Sequence, residues 1–212
     1  MRLVERRTPY VAMAMLCAAL LWPAQSALSQ FTQQTELSGT GAVGSAGQGV
    51  SVALSAAGNT AIVGGSSDNG NAGAAWVFTR SSGMWIQQGN KLVGTPANGS
   101  NVAQGTSVAL SGDGNTAIAG GTGDSSLAGA AWVFTRSGGM WTHQAKLVGS
   151  TIPGSFAQQG WSVALSDDGN TAIVGGPYDN NLAGAAWVFT RSGGTWTQQA
   201  KLVATGVGNL IE

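Results

Sequence analysis

Charge, histidine and cysteine are all scarce in this sequence. Only 8% of the 212 residues are charged, and nine Lys and Arg are balanced by nine Asp and Glu. Binding to nucleic acid or to an anionic membrane surface needs clustered basic residues, so this balance argues against both functions. A Ser-His-Asp triad would depend on His143, the single histidine, and no serine is marked as its partner.

The single cysteine, Cys17, falls in an N-terminal stretch built like a secretory signal peptide. A start with three arginines precedes an apolar run over residues 11–22, and small residues follow. The run is shorter than the roughly 20 residues that span a bilayer. Cleavage after Ser29 or after Ser26 fits the small-residue rule, and we adopt Ser29. The mature chain would be secreted, periplasmic or on the cell surface, with no thiol for disulfides or metal ligation.

Glycine and tryptophan are abundant, and they recur with a fixed period. Trp76, Trp132 and Trp187 lie 56 and 55 residues apart. A period of a few tens of residues is typical of solenoids and propellers, whose units bury their faces by stacking. We place the three repeats at about 48–103, 104–158 and 159–212.

Each repeat predicts four short β-strands. In the third repeat they are 162–166, 170–176, 185–191 and 196–203, each rich in β-formers and bounded by Gly, Asp, Asn or Ser. Asp-Gly and Gly-Gly dipeptides predict tight hairpins between them. In the third strand Trp187 and Phe189 alternate with Val188, so both faces are apolar. A four-stranded meander with two apolar faces predicts an all-β fold of propeller blades.

The motif order also resembles a known family. A Gly followed by SVALS, a short Asp-Gly turn, an apolar strand ending in Gly-Gly-Pro, a polar loop and GAAWVF is similar to the FG-GAP repeat of bacterial secreted proteins and integrin α-subunit propellers. The resemblance implies a β-propeller and a binding or adhesion role. Only the third copy carries the proline, Pro177. No copy has the alternating aspartates of the integrin calcium loop, so the family's metal role is not supported.

The blade count predicts open faces. Residues 31–37, FTQQTEL, align with the fourth strand of a repeat and predict a spare strand. The expected architecture is a partial β-propeller of three four-stranded blades plus one extra strand, within residues 30–212. Propellers close with about four to eight blades. Either the chain is a fragment of a longer gene, or copies associate through open blade edges as a homo-oligomer; two copies would offer six blades.

Aspartates in the loops are the candidate site residues. Asp68, Asp124 and Asp179 recur at one place in the polar loop after the second strand. They are expected to accept backbone N–H bonds across the loop, or else to contact a ligand or weakly held cation on one rim. Asp113, Asp167 and Asp168 lie in the first hairpin, where such residues shape turns. A Ca²⁺ loop there is not supported, because the first repeat has Ala56-Ala57, and no cofactor is predicted.

The remaining candidates have structural interpretations. His143 stands where the other repeats have glutamine and is expected at a strand surface. The repeated tryptophans are expected in the core between blades rather than as carbohydrate-stacking platforms. The repeated arginines at the end of the third strand are expected to be solvated rim charges; they are Arg80, Arg136 and Arg191. Trp161 interrupts the repeat, and the pattern offers no account of it.

We therefore expect a non-catalytic segment that acts as a binding, adhesion or self-associating module, with an unknown protein or glycan as partner. No active-site constellation is predicted in the chain. The alternative is the non-catalytic part of a larger secreted hydrolase whose active site lies outside this chain.

Overall fold

Over the residues that the structure describes, the chain has an all-β propeller fold with three blades. The structure, a computed structural model, describes residues 33–151 and 154–204. The predicted signal peptide and Cys17 lie outside these residues. Within them, each repeat forms one antiparallel four-stranded sheet in meander order. Blade 1 comprises β1 (Ser51–Leu54), β2 (Thr60–Gly65), β3 (Ala74–Ser81) and β4 (Met84–Gln87); blade 2 comprises β5 (Gln104–Leu110), β6 (Thr116–Gly121), β7 (Ala130–Ser137) and β8 (Met140–Leu147); blade 3 comprises β9 (Ser162–Leu165), β10 (Thr171–Gly176), β11 (Ala185–Ser192) and β12 (Thr195–Leu202).

The predicted strands are confirmed, with ends that differ by one residue in the third repeat. Gly193 and Gly194 have φ of 57° and 83°, and this pair of positive angles makes the tight turn between β11 and β12. The loop after the second strand contains a single helical turn that the sequence did not predict. These turns are α1 (Asp68–Asn71), α2 (Asp124–Leu127) and α3 (Asp179–Leu182). Among the described residues no helix has the length and apolar character needed to cross a membrane.

Blades cover each other through opposite faces. On one face of blade 2, Trp132 and Phe134 are at most 2% exposed and share a cluster with Ile62 and Val77 of blade 1. Val133 lies on the other face of blade 2, in the cluster formed with blade 3. The predicted alternation, with apolar groups on both faces and the first tryptophan of each repeat in the core, is confirmed.

An arginine at the end of the third strand ties each blade to the one before it. Arg136 Nη1 donates to Gln88 Oε1 of blade 1 at 2.8 Å, and Arg136 Nη2 donates to Thr60 Oγ1 at 3.4 Å. Trp141 Nε1 donates to the same Gln88 oxygen at 3.1 Å, with the guanidinium 5.2 Å from the Trp141 ring. The arginine, the glutamine and this tryptophan together form what we call the blade clamp.

The clamp recurs between blades 2 and 3. Arg191 donates to Gln144 at 2.9 Å and to Thr116 at 3.2 Å, and Trp196 donates to Gln144 at 3.0 Å. The prediction of solvated rim charges is wrong for Arg136 and Arg191, because the neighbouring blade supplies acceptors and partly buries them. Arg80 has no such neighbour in the described chain and is exposed.

The predicted spare strand is not observed. Phe31 and Thr32 lie outside the described residues, and 33–37 form no strand. A fourth strand must bond to the free edge of a third strand. In this structure β3, β7 and β11 already pair with β4, β8 and β12 of their own blades, so the compact unit beginning at Thr35 offers no such edge.

Close backbone approach between blades predicts a test of the packing. A Cβ added to Gly64 would overlap the carbonyl oxygen of Gly105 in the next unit, and one added to Gly120 would overlap that of Gly160. We expect Gly64→Ala and Gly120→Ala each to lower the free energy of unfolding by about 1–3 kcal/mol, because the backbone itself must shift.

Urea unfolding followed by circular dichroism measures this loss. The matched control is Gly175→Ala in blade 3, where the added Cβ meets only the side chain and carbonyl of Ser162 within the same blade. The measurement is made at a protein concentration low enough that the chain is monomeric. Equal losses of unfolding free energy for all three variants would contradict the packing described.

Candidate functional site

The turns α1, α2 and α3 have an unusual backbone for L-residues. In α2, Ser125, Ser126 and Leu127 have φ of 50°, 59° and 72°, and the same left-handed run occurs in α1 and α3. Each non-glycine residue in this conformation costs roughly 1–2 kcal/mol. The same strained conformation occurs in all three repeats, so contacts with the surrounding residues must stabilise it.

A buried carboxylate at the start of the turn provides that hold. Asp124 is 1% exposed; its Oδ1 accepts a bond from the Asn98 backbone N at 2.8 Å, and its Oδ2 accepts one from Lys146 Nζ at 2.6 Å. The Ser125 hydroxyl donates to the same Oδ2 at 2.8 Å. The carboxylate therefore joins the turn, the preceding connector and the outer strand of its own blade.

The lysine is also held by an aromatic ring. Lys146 Nζ lies 5.3 Å from the ring centroid of the buried Trp132, and Lys201 stands at the same distance from Trp187. Burying an ion pair costs desolvation energy unless further bonds satisfy both charges. Here the carboxylate, the backbone N–H and the ring face provide those contacts.

Asp68 repeats this arrangement, and Asp179 repeats part of it. Asp68 accepts bonds from the Val43 N at 2.7 Å and from Lys91. Asp179 is fully buried and lies 2.7 Å from Lys201 Nζ, but its Oδ1 has no hydrogen-bond partner among the described residues. The residue that corresponds to Val43 and Asn98 in the sequence is Pro153, outside the described residues, and proline has no N–H to donate.

The three predicted site aspartates therefore occupy equivalent buried places. The expectation that they accept backbone N–H bonds across the loop is confirmed for Asp68 and Asp124. A ligand or cation would have to displace the lysine from these carboxylates. Among the described residues no group of three or more His, Cys, Asp or Glu is arranged to hold a metal ion.

Two of the three hairpin aspartates, Asp113 and Asp168, shape their turns as predicted, whereas Asp167 contributes its backbone oxygen, which accepts a bond from the Gly112 N at 2.9 Å. Asp113 Oδ1 accepts bonds from the Ser111 hydroxyl at 2.6 Å and from the Asn115 N at 2.8 Å. Burial raises the pKa of Asp113, but these bonds and one from the Asn115 amide outweigh it, so the pKa lies below 3.8. Asp168 makes the same bonds with Ser166 and Asn170, which lower its pKa.

His143 lies on β8, as predicted, and is partly buried there. It faces Phe134 across the β7–β8 ladder, with ring centroids 5.5 Å apart, and its Nε2 has no hydrogen-bond partner among the described residues. Gln87 and Gln198 pair with the equivalent phenylalanines in their own blades, so the alignment by repeat is correct. The predicted place on the fourth strand is therefore confirmed for His143; Gln198, which faces Phe189 in the same way, is exposed.

A cleft of about 720 Å³ opens beside α3, between this turn and the connector that precedes blade 3. Phe156 and Tyr178 contribute exposed aromatic rings, at 60% and 39% exposure, and none of the lining residues is charged. The lining residues are Gly154, Ser155, Phe156, Gln158, Tyr178, Asn180, Asn181 and Leu182.

Sequence reasoning did not find this cleft. Trp161, 51% exposed, packs its ring edge against Tyr178 with centroids 5.9 Å apart. The available signal was aromatic residues that break the repeat: Trp161 replaces Thr106, Phe156 replaces Asn101, and Tyr178 replaces Gly123. Phe156 and Tyr178 thus give this cleft aromatic rings that the equivalent positions of blade 2 lack.

Comparison with known proteins gave no family. No protein-family model and no curated protein matches the chain. Similar solved structures include the crystal structure of Sqt1 from Saccharomyces cerevisiae, with 12% identity and a TM-score of 0.49, and that of TolB from Acinetobacter baumannii, with 11% identity and a TM-score of 0.40. The matched regions cover 76% and 70% of this chain but 37% and 31% of those proteins, so the chain spans about a third of either.

The buried ion pair predicts unequal effects of one substitution in two blades. Asp124→Asn removes the partner of Lys146, whose side chain is only 12% exposed, and should cost about 3 kcal/mol of unfolding free energy. Asp179→Asn should cost less, because Asp179 accepts no backbone N–H bond among the described residues and Lys201 is 26% exposed. Chemical denaturation of both variants measures the difference; equal losses would contradict this view of the turn.

The hairpin aspartates predict an acid-side change in stability. A carboxyl whose pKa is lowered by folding stabilises the fold at pH above its unfolded value, and this contribution disappears as the pH falls through the folded pKa. Asp113 and Asp168 should therefore titrate below pH 3.8 in the folded protein, as measured by carboxyl NMR. The double variant Asp113→Asn, Asp168→Asn should lose this part of the pH dependence. Titration of both groups at their ordinary value would refute it.

Proposed function

We propose that this chain is a non-catalytic binding module of a secreted or periplasmic propeller protein, and that the cleft beside α3 binds a neutral glycan. The observation that carries the proposal is the lining of that cleft. Exposed aromatic rings stand beside three side-chain amides in a concave surface without charge. Ligand sites in proteins are clefts of this size with apolar walls and a few polar groups that fix orientation.

The chemistry of the lining favours sugars. Phe156 and Tyr178 offer ring faces to the apolar C–H face of a pyranose, and the tyrosine hydroxyl adds a polar end. Gln158, Asn180 and Asn181 each carry an amide that both donates and accepts, as sugar hydroxyls require. A phosphorylated or strongly acidic ligand would find no lining cation to pair with.

The contacts that the titratable groups make within the fold support a role without catalysis. The loop aspartates are paired with lysines, Asp113 and Asp168 bond to their own turns, and His143 faces Phe134. A general acid or base must reach a substrate proton, and these groups are directed at their own fold. The N-terminal signal-peptide pattern and the resemblance to FG-GAP repeats support export from the cytoplasm.

Glycan binding predicts the effect of removing one ring. The purified protein, applied to an array of neutral glycans, should bind a subset of them. Phe156→Ala and Tyr178→Ala should each weaken binding of the best ligand about tenfold or more, as measured by calorimetry, because an exposed stacking surface is lost. The matched control is Asn101→Ala, which changes the residue of blade 2 that corresponds to Phe156.

Two outcomes would overturn the proposal. Turnover of any member of a hydrolase substrate panel would show an enzyme instead. Binding confined to peptide arrays, or glycan binding that Phe156→Ala and Tyr178→Ala leave unchanged, would move the ligand away from this cleft.

A further inference from the structure

Blade 3 ends in an apolar face that nothing in the described chain covers. Ile173 is 38% exposed and Leu202 is 50% exposed. Their counterparts are buried in the other blades: Ile62 and Ile118 are both 0% exposed, Leu92 is 7% exposed and Leu147 is 3% exposed. We call the surface formed by Ile173, Val188 and Leu202 the trailing face. Its counterparts in blades 1 and 2 pack against the next blade.

Blade 1 begins with the opposite kind of face, and that face is open in part: Trp76 and Phe78 are buried on it with Leu37 packed beside them, while two residues of β1 are exposed. Val52 and Leu54 are 66% and 61% exposed, whereas Val108 and Leu110, their counterparts in blade 2, are 6% and 8% exposed. We call the surface formed by Val52 and Leu54 the leading face. In blade 2 this surface is covered by Ile62, Val77 and Leu92, which belong to the trailing face of blade 1.

The two open faces are therefore the two halves of an interface that the protein already forms twice. Continuity with these internal interfaces identifies what fits each open face. A trailing face takes a leading face, and a second copy of this chain carries one on its blade 1.

The groups that form a blade clamp also occur, without their partners, at the two open faces: the donors are in blade 1 and the acceptor is in blade 3. Arg80 is the counterpart of Arg136 and Arg191, and it is exposed. It lies 5.5 Å from the ring of Trp85, the other donor of the clamp, but neither has an acceptor in the described chain. Gln199 of blade 3 is the counterpart of Gln88 and Gln144, and it too is exposed. One end of the chain thus offers the donors and the other offers the acceptor.

Backbone shape at the two ends agrees with this division. Inside the chain, the carbonyl of Gly105 sits against Gly64 and that of Gly160 sits against Gly120, with no room for a Cβ. Gly175 holds this position in blade 3, and nothing outside its own blade lies against it. Gly49, with φ of 94°, is the counterpart of Gly105 and Gly160, whose φ are 84° and 85°.

We propose that the trailing face of blade 3 binds the leading face of a second copy, so that Arg80 and Trp85 of one copy close the blade clamp on Gln199 of the other. Thr171 takes the place of Thr60 and Thr116 as the second acceptor for the arginine. Two copies joined in this way at both ends hold six blades, a number at which propellers close. Head-to-tail contacts of this kind form a closed ring when the rotation between copies permits it.

Sedimentation velocity of the purified protein at micromolar concentration tests the association directly. We expect a two-copy species. Gly175→Ala should yield a monomer, because the added Cβ takes the space that Gly49 of the second copy needs. Within its own chain the Cβ meets the Ser162 hydroxyl, which can rotate away, so the thermal stability of the individual chain should be unchanged. Met140→Asp, at an apolar residue that is 72% exposed and lies on neither open face, should leave the two-copy species intact.

A charge exchange tests the clamp itself. Arg80→Glu should weaken association at least about tenfold, because the charged donor of the clamp is replaced by a carboxylate that cannot donate to Gln199. Gln199→Lys alone should also weaken it, by opposing Arg80. The double variant Arg80→Glu, Gln199→Lys should restore the two-copy species, and a purely structural role for Arg80 would give no such rescue.

A wild-type protein that sediments as a monomer, or one that grows into open polymers, would overturn the closed two-copy arrangement. A dimer that Gly175→Ala and Arg80→Glu leave unchanged would overturn the proposed faces. None of the substituted residues lines the cleft beside α3, so glycan binding by the monomeric variants separates this proposal from the proposed function.

Discussion

Every sheet in this protein has two apolar faces, and that constraint governs the rest of the structure. Blade 2, with Trp132 and Phe134 on one side and Val133 on the other, buries both sides against its neighbours. The blades therefore stabilise one another, as in other repeat proteins whose stability is a sum of units and interfaces. Without disulfides in the predicted mature chain, apolar burial at these interfaces is the main stabilising term.

Polar groups in the fold set the position of the apolar ones. The blade clamp fixes how far one sheet slides on the next, because Arg136 and Trp141 share the single oxygen of Gln88. Glycines at the close approach allow the sheets to come together. The buried Asp–Lys pairs hold the left-handed turns on one rim, and the cleft of blade 3 arises where the connector beside one of these turns differs from its counterparts. The three repeated blades thus form the scaffold, and the cleft of blade 3 is the surface at which the repeats differ.

Much of the fold could be predicted because its causes are local. Strand alternation, glycine at hairpins and the spacing of Trp76, Trp132 and Trp187 depend on residues near each other in the chain, and the structure agrees with each of them. The left-handed turns were missed because Ser126 and Leu127 have no intrinsic preference for positive φ. Their conformation is imposed by the buried Asp124, whose partners Asn98 and Lys146 lie more than twenty residues away.

The sequence by itself determined the number of blades, the strands within them and which side chains share a face, because a period of two along a strand and of about 55 along the chain can be counted. Only the tertiary structure decided the role of the arginines, the pairing of the loop aspartates and the existence of the cleft. Those properties depend on which residues two neighbouring units bring into contact. Arg80, Arg136 and Arg191 stand in nearly identical sequence, yet only the two with a preceding blade find an acceptor.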